Sequence, residues 1–334
     1  GHEVTLYAPE GTAFNNLKPM KASFGKYPPS SQECETDCFN NNRDSLFNQD
    51  IVHDFSVTKQ ITKLMNNEGF LNTCCTLMGG TWTQNNQPHN LVVWSQAHKN
   101  RVLRGATDYE GTPTPDLAGP PGTPVANARV VYGGIDTNYY TPTYSKKDYF
   151  LWMGRWHNVR GYQLAIELAK KTGIKLVLAG EHPDNEMFEY QRNCALEAER
   201  LVRGVSNIEL GWLPSDPDHH EAKLKLYQEA KAFLYTVQFH EPFGLSQAEA
   251  MACGTPVIGP NYGSVPEVVL DKKTGFICSN DIDSYAEACQ KIGDINNYDC
   301  RERAVNFFDC KVMANSYLQQ YKSIISGESW NNGN

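Results

Sequence analysis

Glu241-Pro242-Phe243-Gly244-Leu245-Ser246-Gln247-Ala248-Glu249-Ala250-Met251-Ala252-Cys253-Gly254-Thr255-Pro256-Val257-Ile258-Gly259 reads as a turn, a short helix and a strand in direct succession. Pro242 and Gly244 make the turn, a helix begins near Gly244, and Gly254 stands just past its end, where a left-handed C-terminal cap is expected. The small side chains of Ala248, Ala250 and Ala252 let this helix approach its neighbours closely. Outward from it the same alternation recurs: a strand at 149–153, a helix at 162–172 ended by Gly173, then strands near 175–179, 208–210, 232–235, 256–258 and 275–278. Residues 146–309 are therefore expected to form a complete doubly wound α/β domain, its parallel sheet covered on both faces.

Residues 1–145 predict a second, less regular α/β domain, with strand-like runs at 51–55, 70–75, 91–94 and 129–132 and a helix from Gln96. The chain opens on what reads as a helix end and a strand from Val4. The strand, glycine-rich turn and first helix that normally begin such a domain are thus expected to precede residue 1 in a longer natural protein. Segments 27–42 and 112–124 read as loops, the latter holding five prolines. Residues 310–326 predict a C-terminal helix returning toward the first domain, and 327–334 a polar tail without regular structure.

Acidic residues outnumber Lys and Arg by 38 to 30 among 334 residues, which argues against a nucleic-acid partner, since that needs a basic face. No apolar run approaches the roughly 20 residues that cross a bilayer, so the chain reads as cytoplasmic, with peripheral membrane contact left open. The ten cysteines are scattered through apolar patterns and read as buried thiols. Cys34 and Cys38 lack a second ligand pair, so no metal is expected there.

The first turn of the helix after Gly244 leaves backbone N–H groups free, a ready site for phosphate. Glu241 precedes that turn and Glu249 lies about one and a half turns into the helix, so the two carboxylates reach different parts of one extended ligand. As an isolated pair they would read as a cap and a solvated face residue; the surrounding turn, helix, glycine and strand argue against that. Gly154-Arg155-Trp156-His157-Asn158-Val159-Arg160-Gly161 sits between a strand and a helix at the carboxyl edge of the sheet, where α/β domains bind ligands. Its two guanidinium groups suit phosphate oxygens.

These motifs resemble glycosyltransferase family 4, retaining enzymes of the two-domain GT-B fold, with two Rossmann-like domains facing a cleft. The resemblance runs along nearly the whole chain. It rests on Glu241 and Glu249, on Gly154-Arg155 with Arg160-Gly161, and on Gly263-Ser264-Val265-Pro266-Glu267-Val268-Val269 and Thr274-Gly275-Phe276. In the first half Asp50-Ile51-Val52-His53 and Gly134-Ile135-Asp136 fit as well. It implies transfer of a sugar from a nucleoside-diphosphate sugar, a UDP- or GDP-sugar as co-substrate, to a glycan, lipid or small-molecule hydroxyl, with no cofactor and no metal. Arg155 and Arg160 would grip the diphosphate and, with Glu241 at the donor sugar, form the catalytic set. Gly154, Pro242, Phe243, Gly244 and Leu245 would complete the donor site, Glu249 would hold the ribose, and Gly211, Trp212 and Leu213 would meet the nucleobase. Arg160 stands where the family usually has Lys, and Met78 where many members carry a His approaching the sugar.

His53 reads either as an acceptor-side residue of the cleft or as a satisfied core histidine. Asp281-Ile282-Asp283 matches a metal-binding pattern but reads as a helix N-cap, and His219-His220 reads as a solvated entry preceding the helix near Lys223. Competing functions are a glycosidase using Glu241 and Glu249, a nucleotide-sugar epimerase or phosphorylase of the same fold, and a non-catalytic nucleotide-sugar binding protein. The glycosidase leaves both arginines without a task.

Overall fold

The computed structural model describes residues 2–7, 31–83, 87–113, 121–182, 189–213, 219–279, 281–328 and 330. Its first sheet pairs β1 (Val52–Asp54), β2 (Thr73–Leu77), β3 (Leu91–Val93) and β4 (Arg129–Val130), all parallel and in that order. β2 and β3 are buried at every position, as strands covered on two faces must be. Two helices, α1 (Ser31–Phe47) and α2 (Gln60–Asn67), cover one side through Phe39, Leu46 and Met65. α3 (Gln96–Val102) follows β3 and is capped by Ser95, whose Oγ accepts from His98 N at 3.0 Å.

Three local expectations are corrected. The polar stretch within 27–42 is helical from Ser31: Asn42 Nδ2 donates to Cys38 O at 2.9 Å and Thr36 Oγ1 to Gln32 O at 2.8 Å within the helix, while the Glu35 carboxylate accepts from Thr58 N and Gln60 N, both at 2.7 Å. Cys38 and Phe39 meanwhile turn inward. Residues 2–7 carry only an isolated bridge in place of a strand. In the tail, Trp330 is buried beneath the Arg129 guanidinium, 4.3 Å from its ring centroid, and its carbonyl accepts from Asn127 Nδ2 at 3.0 Å; one aromatic anchor outweighs its polar neighbours. Residues 8–30, 114–120, 329 and 331–334, which include parts of these stretches, lie outside the described residues.

The second sheet is six-stranded and parallel, in the order β10-β9-β8-β5-β6-β7. Its strands are β5 (Phe150–Met153), β6 (Leu176–Glu181), β7 (Ile208–Leu213), β8 (Ala232–Leu234), β9 (Val257–Pro260) and β10 (Gly275–Cys278). The connecting helices are α4 (Tyr162–Thr172), α5 (Glu189–Val202), α6 (His219–Glu229), α7 (Leu245–Ala252), α8 (Val265–Val268) and α9 (Ile282–Lys291). α4 stops at Gly173, φ 75°, and α7 is followed by Gly254, φ 71°, as the left-handed caps require. Asp281 caps α9, accepting from Ser284 N at 2.8 Å, the reading preferred for Asp281-Ile282-Asp283. The chain winds first to one side of β5 and then returns to the other, so the strand order reverses between β5 and β8. Loops diverge there at the carboxyl ends and leave a crevice.

The chain crosses back through α10 (Asn297–Phe308) and α11 (Cys310–Ile325). Ile135 exchanges backbone hydrogen bonds with Phe308 O (2.9 Å) and Cys310 N (2.8 Å), tying the link between the sheets to the α10–α11 corner. α11 then lies on the first sheet, where Tyr317 and Ile324 join Cys74, Val92, Val131 and Trp330 in one core. Across the opposite side of the cleft, Glu267 of α8 accepts from the N–H groups of Gln96 (2.8 Å) and Ala97 (2.6 Å) and from Tyr132 Oη (2.9 Å). A carboxylate from one half thus caps a helix of the other. Among the described residues no helix is long and apolar enough to cross a membrane. The ten cysteines are free, eight of them buried.

Candidate functional site

The crevice at the strand reversal is a cavity of about 470 Å³ with walls from both halves. Met78, just after β2, and Trp94, just after β3, face Gly154, Arg155, Arg160, Glu241, Gly244, Leu245, Ser246 and Glu249. Of the donor-site residues expected from sequence, Leu213 and Phe243 also line it; Pro242, Gly211 and Trp212 do not. Trp212 instead packs in an aromatic group beside it, 5.7 Å from Trp156 and 4.9 Å from His182 between ring centroids. A second depression, about 510 Å³, lies on the outer face between α4 and α9 and is lined by Lys171, Asp283 and Glu287, with no converging chemistry.

Arg160 is held by its backbone before its charge is used. A single 3₁₀ turn, Asn158–Arg160, ends at Gly161 with φ 70°, and the Arg160 carbonyl accepts from Trp152 Nε1 at 3.0 Å. Gly161 is packed so closely that a Cβ there would stand 1.8 Å from Thr236 O. From this platform Arg160 NH1 reaches Glu241 Oε2 at 2.7 Å, while Tyr235 Oη donates to the same oxygen at 2.6 Å. Burial lowers the Arg160 pKa, yet Glu241 and Tyr235 outweigh it, and the net shift is upward. The guanidinium is therefore a permanent cation. Arg155 is exposed at the cavity mouth and has no ion pair or hydrogen bond with the described residues. Its fork is open to an anion.

α7 begins with Gly244 at φ 74°, a conformation glycine alone adopts freely, and a Cβ there would meet Tyr235 Oη at 2.4 Å. The N–H groups of Leu245 and Ser246, which lack intrahelical partners, thereby open the helix at the cavity wall. Phe243, fully buried, is edge-on to Trp94 and Phe308, and locks the turn between the two halves. Glu249, 7% exposed, receives Tyr140, Tyr227 and Lys223.

On the first-half wall, Asp108 Oδ2 accepts from Gly80 N at 2.7 Å and His98 Nε2 meets Gly80 O at 3.0 Å, fixing the loop that carries Met78. Burial pushes the Asp108 carboxyl up to about 7. His53 lies away from the cavity with both nitrogens occupied, Nδ1 by Tyr321 Oη at 2.5 Å and Nε2 by Thr76 Oγ1 at 2.7 Å. Burial lowers its pKa to about 3, so the ring is neutral and bonded within the protein. His219 and His220 open α6 rather than precede it, and His219 lines the cavity. Sequence reasoning missed Lys223, Tyr235, Asp108 and the cap made by Glu267. The legible signal was the spacing of Lys223 and Tyr227, four apart and so on one helix face.

The two parallel sheets across a cleft define the GT-B fold of glycosyltransferases. The chain superposes with a TM-score of 0.68 on the crystal structure of AviGT4, a glycosyltransferase involved in avilamycin A biosynthesis, at 21% identity over 99% of this chain and 87% of that one. It also superposes on Anabaena HepE in complex with UDP and glucose, with a TM-score of 0.64 at 13% identity over 86% of this chain and 81% of that one. Residues 141–306 match the family model of glycosyl transferases group 1, and this segment belongs to that family. The D-inositol 3-phosphate glycosyltransferase of Mycobacterium avium (strain 104) is 28% identical over 176 residues, 49% of this chain and 40% of that protein. The matched segments span less than three fifths of the other curated relatives too.

Proposed function

We propose that the protein transfers a sugar from a nucleoside-diphosphate sugar to an acceptor hydroxyl, with retention of configuration and without a metal. The observation that carries this reading is the convergence on one cavity wall of Arg155, Arg160 and the open N-terminus of α7, with Glu241 beside them. A diphosphate set there meets two guanidinium groups and a helix start, which together offset the charge that develops as it departs. In this reading Glu241, oriented by Arg160 and Tyr235, faces the sugar ring, and Glu249 takes the ribose hydroxyls. The acceptor hydroxyl approaches from the Met78 and Trp94 wall, on the face from which the diphosphate leaves. Closure between the halves excludes water and limits donor hydrolysis.

Calorimetry with uridine and guanosine diphosphates, in the presence of a chelator, tests the donor site. One of them is expected to bind, and Arg155→Ala to weaken it about tenfold or more, the scale of a lost charge-assisted contact. Absence of binding by the unaltered protein refutes the reading. A glycosidase would ignore both nucleotides.

A further inference from the structure

Both oxygens of the Glu249 carboxylate are already engaged. Oε1 takes Tyr140 Oη at 2.8 Å and Lys223 Nζ at 2.9 Å; Oε2 takes Tyr227 Oη at 3.2 Å and Lys223 Nζ at 2.8 Å. An ionised carboxylate offers about four such positions, and here three hydrogen bonds and the Lys223 ion-pair contact at Oε2 occupy the group. Resting on the functional reading above, a ribose that presents two hydroxyls to Glu249 must displace two of these contacts.

The three donors differ in their freedom to leave. Tyr140 and Tyr227 are 9% and 0% exposed, with rings edge-on to each other. Lys223 projects from α6 on a flexible four-carbon stem, lines the cavity, and has a side chain 22% exposed. It contributes one contact to each carboxylate oxygen, so its withdrawal frees one position on each, the pattern a vicinal diol requires. An ammonium withdrawn from a buried carboxylate needs another anion close by, since an unpaired charge in such a place is costly. A nucleoside diphosphate brings that anion into the same cavity.

We propose that Lys223 is a nucleotide-binding residue that occupies the positions of the ribose diol on Glu249 and passes its ammonium from Glu249 to the diphosphate when the ligand arrives. Glu249 then holds the diol and Lys223 the phosphate oxygens. The site selects ligands carrying both a vicinal diol and a multiply charged anion.

The test is calorimetry of the full chain with uridine 5′-diphosphate, guanosine 5′-diphosphate and their 2′-deoxy counterparts. For the diphosphate that binds, Lys223→Met is expected to lower the affinity of the ribo and deoxy forms alike by about tenfold, leaving their ratio unchanged, while Lys223→Arg restores most of the loss. Lys223→Gln keeps a donor for Glu249 without the charge, and gives the same reading if the methionine variant does not fold. A variant that binds the diphosphate as tightly as the unaltered protein overturns the proposal. So does one in which the ribo form falls to the deoxy affinity, because Lys223 would then only orient Glu249. If the unaltered protein binds neither diphosphate, the donor-site reading itself fails.

Discussion

Glu241→Gln is expected to lower sugar transfer by on the order of 100-fold while leaving nucleotide affinity within a few fold. Glutamine retains the shape of the side chain and an oxygen that can accept from Arg160 and Tyr235, so the turn before α7 keeps its geometry. In the proposed mechanism, what disappears is the negative charge facing the ring position where positive charge grows as the diphosphate departs. Alanine is the poorer variant, because it would strand the Arg160 guanidinium, 24% exposed, without its partner and mix a binding defect with a chemical one. Turnover of donor and dissociation constants for the diphosphate, measured on the same preparation, separate the two effects. A glutamine variant with unaltered turnover would remove Glu241 from the mechanism.

Gly161→Ala carries the largest expected effect on folding, a loss of about 3–5 kcal/mol. Two penalties combine. The residue sits at φ 70°, where any side chain is strained, and its Cβ would stand 1.8 Å from Thr236 O, an overlap relieved only by parting the 3₁₀ turn from the strand end. Gly173→Ala is the control: its φ is 75°, but nothing lies within 4 Å of a Cβ, so only the conformational cost of about 1 kcal/mol applies. Urea unfolding should rank the variants in that order. Because Arg160 precedes Gly161, surviving Gly161→Ala protein should also bind diphosphate less tightly.

The second sheet was legible because its strands are apolar runs and glycine marks the ends of α4 and α7: the predicted helix 162–172 is α4, residue for residue. Turn chemistry and period carried that reading with no tertiary help. The first half was harder. Its sheet positions came from β-branched runs, but α1 was hidden because its polar residues find partners in the helix, as Asn42 does, or well outside it, as Glu35 does at Gln60 N, and only a narrow seam around Phe39 and Leu46 is buried. In the site, Arg155, Arg160, Glu241 and Glu249 were found from local motifs. Their partners were not, because Tyr235, Lys223 and Tyr140 reach the carboxylates from separate elements, and a contact such as Tyr140 to Glu249, 109 residues apart, leaves no local pattern. His53 shows the converse: an apt residue type in an apt motif, whose two nitrogens are already spent.

The cap that Glu267 places on α3 makes two amides into an isotopic clock for the cleft. Gln96 and Ala97 keep their hydrogen-bonded protons only while a carboxylate about 170 positions further along the chain stays against them. Any parting of the halves that withdraws Glu267 opens both amides to solvent together. Deuterium uptake at these two positions is expected to slow when a nucleoside diphosphate binds and to rise in Glu267→Ala, with the middle of β3 as the unchanging reference. The rate at which one helix start exchanges its hydrogens would then report how often the cleft between the halves opens.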